Sequence, residues 1–167
     1  MKFFLLLLWG VAHASFIERY TVYLVDLKEF ATARRFLWLT KEDPEALYWM
    51  GMLNIEGLWN SKKEANVLFL KAAHKGHAPS MCALGDSYFS GDGLEQNFQK
   101  AAYWYKKAAK AAYAASYFHL GVLYRDGKGV ARSLKKARFY FQKAADHLPH
   151  LKNQALQLKH SLHGESS

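Results

Sequence analysis

Two kinds of apolar stripe alternate along the central part of the chain, and both have the i, i+3, i+4, i+7 spacing of one helix face. In the first kind a glycine takes the i+4 position, in the sets Met81, Leu84, Gly85, Tyr88 and Tyr117, Leu120, Gly121, Tyr124. In the second kind alanines stand at both ends, in the sets Ala65, Leu68, Phe69, Ala72; Ala101, Trp104, Tyr105, Ala108; and Ala137, Tyr140, Phe141, Ala144. The alternation predicts a series of helical hairpins, each with one helix of either kind.

The predicted hairpins recur with a period of 36 residues. The segment 84–93, which reads Leu-Gly-x-x-Tyr-x-x-Gly-x-Gly, returns at 120–129, and the segment 100–109 returns at 136–145. A more divergent copy contains Gly51 and the segment 64–73, and its internal loop is two residues shorter. A fixed period of this length is typical of helical repeat proteins, in which neighbouring repeats bury one another's apolar faces.

Glycine stands at two sorts of position in each repeat. A glycine inside a helix costs about 1 kcal/mol relative to alanine, so Gly51, Gly85 and Gly121 predict places where two helices approach too closely for a side chain. The pairs in Gly91-Asp-Gly93 and Gly127-Lys-Gly129 follow the first helix of a repeat. We expect them to adopt positive φ, to end that helix and to turn the chain.

These motifs resemble the Sel-one-like repeat, a relative of the tetratricopeptide repeat with a longer period. The resemblance covers residues 44–77, 78–113 and 114–149; in the first of these Asn54 replaces an aromatic residue and Leu58-Trp59 replaces Gly-Val. It implies an all-α fold, a right-handed superhelical solenoid of three helical hairpins with capping helices. We assign residues 15–43 and 150–163 to the caps and 164–167 to a tail.

Both flanks carry signs of a capping helix. Leu151, Ala155, Leu158 and Leu162 form one stripe after the last repeat. At the other end Asp26-x-x-Glu29 has the spacing of a capping box and predicts a helix that begins there and runs to about Thr40. Residues 16–25 are apolar without a clear period, so the pattern does not specify their structure.

The first 14 residues have the arrangement of a secretory signal peptide. Lys2 precedes an apolar run of about nine residues that ends in Ala12-His-Ala14, and a membrane span would need about 20 apolar residues. We expect cleavage after Ala14 and export, to a bacterial periplasm or beyond it. The alternative is that this run forms a first apolar helix of the folded domain.

The net charge of the chain indicates what kind of partner it binds and says little about its fold. The chain has a net charge of +9, and the excess is uneven: residues 15–99 carry 9 basic and 11 acidic side chains, whereas residues 100–167 carry 13 and 3. The basic segment 100–167 is expected to attract an acidic protein, an anionic membrane surface or an anionic glycan. The alternative is that its charges only face solvent and bind no partner. Nucleic acid fits the charge equally well, but an exported protein seldom meets it.

No set of residues predicts catalysis, a metal or a cofactor. Histidines spaced three apart occur as His74/His77, His147/His150 and His160/His163, but the sequence does not specify a third ligand. The single cysteine, Cys82, cannot form an internal disulfide, and we expect it to be buried and inert. The sequence therefore favours a protein that is not an enzyme.

The resemblance also implies where a partner binds, because the first helices of tetratricopeptide-like repeats line a concave groove. The corresponding positions are Tyr48, Met52 and Ile55 in repeat one, Cys82, Asp86 and Phe89 in repeat two, and Phe118, Val122 and Arg125 in repeat three. The alternative is that the N-terminal segment, with Phe16, Ile17 and Tyr20, folds back over this groove.

We therefore expect an exported, non-enzymatic adaptor that binds a peptide or protein segment in the groove. Family members act as scaffolds, so the resemblance implies this role. Two alternatives remain. One is a structural accessory subunit of an envelope machine such as the flagellar motor, and the other is an envelope hydrolase.

Overall fold

The computed structural model describes residues 13–26, 28–56, 61–148 and 152–162, with side chains from residue 17 onward. Residues 1–12, which form most of the expected signal peptide, lie outside this description, as do Leu58-Trp59 and the tail. All regular structure in the described ranges is helical. The helices are α1 (His13–Asp26), α2 (Phe30–Leu39), α3 (Pro44–Ile55), α4 (Lys62–His74), α5 (Ala78–Ser90), α6 (Phe98–Lys110), α7 (Ala115–Asp126), α8 (Leu134–His147) and α9 (Lys152–Ser161).

The chain divides into two compact units, Met1–His77 and Ala78–Ser167. Helices α1 to α4 belong to unit 1, and helices α5 to α9 belong to unit 2. The most extensive helix contacts are made inside hairpins, between α3 and α4, α5 and α6, and α7 and α8. The predicted all-α hairpin fold is therefore confirmed in each unit.

The second helix of every hairpin begins at a side-chain cap that recurs with the period of the repeat. Ser61, Asn97 and Ser133 each accept a hydrogen bond from the backbone N–H three residues later, at 3.3, 2.9 and 3.4 Å. Such a cap satisfies one of the N–H groups that the first turn leaves without a helical partner. The 36-residue period thus sets where these helices begin.

The mid-helix glycines lie where the two helices of a hairpin meet, as predicted. A Cβ built on Gly121 would be 2.6 Å from the ring of Phe141, and a Cβ on Gly85 would overlap the ring of Tyr105. Gly51 has the same relation to Phe69. One aromatic ring of the second helix therefore rests directly on the backbone of the first in all three hairpins.

Unit 2 is completed by a C-terminal helix, as the apolar stripe predicts. Helix α9 packs against α8, and its Ala155 is fully buried. Leu162, just after α9, is 2% exposed, and its backbone carbonyl accepts a hydrogen bond from Arg138 Nη1 at 3.1 Å. This helix covers the apolar side of the last repeat.

The N-terminal part of unit 1 differs from the expectation at one point. Asp26 is the last residue of α1 and does not open a helix, so the predicted capping box is wrong. Lys28 has a positive φ of 59° and reverses the chain, and the N–H of Glu29 bonds to the carbonyl of Leu24 at 2.8 Å. The predicted end near Thr40 is confirmed.

Residues 16–25, which lacked a clear period, lie in helix α1. Ile17 of this helix is fully buried in a cluster with Leu37, Ala46 and Leu53. Thr21 and Leu24 are buried as well, so α1 turns one stripe at i, i+4 and i+7 toward the core and packs it against α2 and α3. No helix among the described residues has the length and apolar character needed to cross a bilayer.

Candidate functional site

The predicted groove residues of unit 2 lie on α5 and α7, the first helices of repeats two and three. Asp86 and Phe89 belong to the C-terminal half of α5, whereas Phe118, Val122 and Arg125 are spread along α7. The side chain of Asp86 is 52% exposed, and the other four residues are partly buried. The structure therefore leaves all five accessible to solvent to some degree.

A polar network joins the two helices across this site. His119 Nε2 lies 3.6 Å from Asp86 Oδ1, and the hydroxyl of Tyr105 donates a hydrogen bond to the same oxygen at 2.7 Å. The ring of His119 stacks on that of Tyr105, with centroids 4.7 Å apart and planes 4° from parallel. Asp86 and His119 are thereby held side by side at the surface.

Burial and charge oppose each other at Asp86. Partial burial raises the pKa of the Asp86 carboxyl, while His119 and the Tyr105 hydroxyl act to lower it. The same surroundings raise the pKa of Tyr105, first through burial and then through the charge of Asp86. Tyr105 therefore stays a hydrogen-bond donor at neutral pH.

Cys82 does not line an open groove as the resemblance implied. It is 4% exposed and belongs to the core of unit 2, in a buried cluster that also contains Tyr105 and Leu120. Burial raises the pKa of the Cys82 thiol, and the nearby Asp86 carboxylate raises it further. The expected buried thiol is thus confirmed. Its sulfur, a carboxylate oxygen of Asp86 and a ring nitrogen of His119 lie within 4.8 Å of one another.

The apolar groove residues also contribute to the core. Phe89, Phe118 and Val122 pack on the buried cluster of unit 2 from its edge. The ring of Phe89 contacts Phe98 at 5.4 Å, and the ammonium of Lys128 lies 5.5 Å from its centroid. These side chains therefore present only one side to a partner.

Arg125 is held by its neighbour on the same helix. Its Nε and Nη2 donate to the two carboxylate oxygens of Asp126 at 2.6 and 3.1 Å. This pairing lowers the pKa of the Asp126 carboxyl, chiefly through the hydrogen bonds. Arg125 therefore offers a partner a charge that is already partly neutralised.

The groove positions of unit 1 are also partly buried. Tyr48 contacts Phe69 and His77, with ring centroids 5.9 and 5.3 Å apart. Met52 lines a cleft together with Val22, and Ile55 lies near the end of α3. The N-terminal helix thus reaches the side of Met52 but does not bury any of the three groove positions of this unit.

The large apolar side chains that are most exposed in unit 2 lie elsewhere, on the second helices. Tyr103 and Phe139 are 52% and 55% exposed, and they occupy equivalent positions 36 residues apart. Lys107 Nζ lies 4.8 Å from the Tyr103 ring centroid, and Lys143 Nζ lies 5.3 Å from that of Phe139. We call these four residues the aromatic–lysine face.

Sequence reasoning missed His119, the residue that completes the polar network. It follows the groove position Phe118 directly, and it stands one position after the equivalent of Cys82 in the next repeat. Alignment of the repeats would have found it, if residues that can bind a metal or form hydrogen bonds were sought at adjacent as well as identical positions. Among the predicted histidine pairs, His77 lies 2.9 Å from Glu45 and the described partners form no metal cluster.

One serine–lysine spacing has a structural explanation. Ser133-Leu-Lys-Lys136 matches the Ser-x-x-Lys spacing of serine enzymes. However, the Ser133 hydroxyl caps α8 by accepting from the backbone N–H of Lys136. This segment therefore carries no sign of a nucleophile.

Comparisons with known proteins agree with the geometry of the hairpins. A Sel1 repeat protein from Oxalobacter formigenes is 30% identical with a TM-score of 0.71, and the alignment covers 78% of this chain and 54% of that one. A protective antigen of uropathogenic Escherichia coli with an SLR fold is also 30% identical, with a TM-score of 0.64, over 67% of this chain and 25% of the antigen. This chain thus spans about half the length of the Oxalobacter protein and a quarter of the length of the Escherichia coli antigen.

A third structure supports the fold alone. Cysteine-rich protein B of Helicobacter pylori is 24% identical with a TM-score of 0.57, over 71% of this chain and 88% of its own. No protein of curated function matches the chain significantly. The Sel1 repeat profile matches residues 44–77, 78–113 and 114–147. Since these matches cover more than half of the chain, and since the hairpins have the packing described above, the chain belongs to the Sel1 repeat family.

Proposed function

We propose that this chain is a non-catalytic adaptor that binds a peptide or protein segment on the α5 and α7 face of unit 2. Sel1 repeat proteins are generally protein–protein interaction adaptors and typically non-catalytic scaffolds. One observation supports this particular face most directly. Half-buried apolar side chains, Phe89, Phe118 and Val122, lie on the same two helices as the exposed polar pair of Asp86 and His119.

This combination suits recognition of a peptide. Aromatic side chains held on one side by a core lose little conformational entropy on binding, which makes them suitable anchors. The free oxygen of Asp86 can accept a hydrogen bond from a backbone N–H or a basic side chain of the bound segment. The apolar anchors then supply affinity, and the carboxylate selects orientation.

Site-specific photo-crosslinking in the protein's own cells tests this proposal. A crosslinking amino acid at Phe89 or Phe118 should capture one discrete partner, and the same residue at the exposed Phe139 serves as the matched control. The partner identified in this way is then titrated with the purified chain. Phe89→Ala and Phe118→Ala should each raise Kd at least about tenfold, whereas Phe139→Ala leaves it unchanged.

Both aromatic residues also touch the core, so their variants must be tested for folding. Thermal unfolding of each variant separates loss of binding from loss of structure, provided that binding is measured well below Tm. If Phe139 captures the same partner with equal yield, or if the titration shows equal losses at all three positions, the proposed face is wrong.

A second candidate is docking of the aromatic–lysine face to an anionic membrane surface. Exposed aromatic rings next to lysines are typical of protein surfaces that sit at the lipid headgroup level. Each lysine near an anionic bilayer contributes about 1 kcal/mol. The excess of basic residues between 100 and 167 adds a long-range attraction of the same sign.

Sedimentation with lipid vesicles tests this candidate without a protein partner. The chain should bind phosphatidylglycerol vesicles more than phosphatidylcholine vesicles, and Lys107→Gln with Lys143→Gln should reduce binding roughly tenfold or more. Lys62→Gln with Lys63→Gln in unit 1 removes the same charge as a control. Equal losses for the two pairs would show a diffuse charge effect and no dedicated face.

Export through the signal peptide stays part of the proposal. Fractionation of cells followed by N-terminal sequencing of the exported protein should give Ser15 as the first residue. Of the two alternatives, an envelope hydrolase predicts turnover of nitrocefin or a general ester substrate above background. A machine subunit predicts that crosslinking recovers a membrane assembly in place of a soluble partner.

A further inference from the structure

We propose that Cys82, Asp86 and His119 form a zinc site that joins the first helices of repeats two and three. The proposal goes beyond the adaptor role and does not require it, although it uses two of the same side chains, Asp86 and His119. Cys82 and Asp86 are one helical turn apart on α5, and His119 comes from α7. A bound ion would therefore link two consecutive repeats.

The distances suit a small cation after modest side-chain adjustment. Three atoms that lie within 4.8 Å of one another are all within about 2.8 Å of a common point, whereas zinc binds sulfur at about 2.3 Å and nitrogen or oxygen at about 2.0–2.2 Å. The sulfur thus has to move by up to about 0.5 Å, and the nitrogen and oxygen by up to about 0.6–0.8 Å. Asp86 and His119 are partly exposed, so rotation of these side chains can supply most of that movement.

The donor set selects zinc over harder cations. One thiolate, one imidazole and one carboxylate are all common zinc ligands, whereas calcium and magnesium take oxygen donors almost alone. A thiolate and a carboxylate together neutralise the two charges of the ion. Binding forms the S–Zn bond and releases the Cys82 proton to solvent, and the zinc keeps its oxidation state.

Tyr105 makes an outer contact with two of the three ligands. Tyr105 donates to Asp86 and stacks on His119, so one aromatic side chain orients two ligands. Such outer contacts typically change metal affinity by about 10–100-fold when they are removed. Cys82 lies at the buried end of the cluster and Asp86 at the exposed end, which leaves the fourth position on the solvent side. That position can hold a water molecule.

Titration of the reduced, chelator-treated chain with Zn²⁺, and with Co²⁺ as a spectroscopic probe, tests the site. We expect one ion per chain and, for Co²⁺, the near-ultraviolet band of a thiolate bond together with intense visible bands of tetrahedral coordination. Cys82→Ser, Asp86→Asn and His119→Gln should each weaken binding at least about tenfold. His147→Gln removes an exposed histidine outside the cluster and should leave binding unchanged.

Several results would overturn the proposal. One is Co²⁺ binding without the thiolate band, and another is Zn²⁺ affinity that falls equally in the His147→Gln control, which would reveal scattered surface binding. If Cys82→Ser fails to fold, the Asp86 and His119 variants still decide, because both side chains are partly exposed. Unchanged zinc affinity in both of these variants would refute the site.

Discussion

Replacement of Gly121 by alanine tests the packing argument that carries the repeat fold. The new Cβ would lie 2.6 Å from two ring carbons of Phe141 and 3.0 Å from a third, whereas ordinary contacts are 3.4–4 Å. The ring would have to move by about 1 Å, and it has no free space because Phe141 is fully buried. Overpacking of this kind costs about 1–3 kcal/mol.

Helix propensity acts in the opposite direction. Alanine is favoured over glycine inside a helix by about 1 kcal/mol, so propensity alone predicts that Gly121→Ala is stabilising. With the packing cost included, we expect a net loss of up to about 2 kcal/mol. For a unit of this size each kcal/mol lowers Tm by about 4–8 °C. The sign of the change therefore separates the two effects.

A double-mutant cycle isolates the contact between the two residues. Phe141→Leu removes ring atoms that the new Cβ would meet, so Gly121→Ala should cost nothing, or stabilise slightly, in that background. The coupling energy from chemical denaturation should be at least about 1 kcal/mol. Stabilisation by Gly121→Ala in the wild-type background, or a coupling near zero, would refute the claim that this ring excludes a side chain.

Three further predictions concern the ends of helices and can be checked by thermal or chemical unfolding. Ala112 has a positive φ of 58°, so Ala112→Gly should relieve left-handed strain and stabilise the chain by up to about 1 kcal/mol; a loss of stability would contradict this. Asn97→Ala removes the acceptor that caps Lys100 N–H at 2.9 Å and should cost about 1 kcal/mol, whereas Asn97→Ser should restore most of it. Hydrogen bonds from Arg125 hold the pKa of Asp126 below its usual value of 3.8. The ionised carboxylate therefore stabilises the fold at neutral pH, and this contribution is lost as the pH falls through the lowered pKa. In acid, wild-type unfolding free energy should fall more steeply than that of Asp126→Asn, and parallel curves would show that the pair contributes nothing.

The repeat itself could be predicted from local signals. Helical stripes, the 36-residue period and the paired turn glycines depend on residues close in sequence, and Gly91 and Gly127 indeed have φ of 83° and 69°. The ring-on-glycine contacts could also be predicted, because a glycine repeated inside a helix has a cost that only close packing offsets. The caps at Ser61, Asn97 and Ser133 follow the same 36-residue period and could have been predicted from it.

Local signals did not predict the N-terminal cap correctly. Asp26-x-x-Glu29 fits a capping box, yet Asp26 ends α1 and the chain reverses at Lys28. The motif is short, so many conformations satisfy it locally. Burial of Ile17 against Ala46 decides between them, and that contact joins residues far apart in sequence.

The candidate site likewise depends partly on local sequence and partly on tertiary packing. The period of the sequence by itself determined that the chain is a set of Sel1 hairpins and which residues form their cores. Only the tertiary structure brought His119 of one repeat to Asp86 of another and left Tyr103 and Phe139 exposed. The physical reason is that helix periodicity is a property of neighbouring residues, whereas the distance between side chains on different helices depends on how those helices pack.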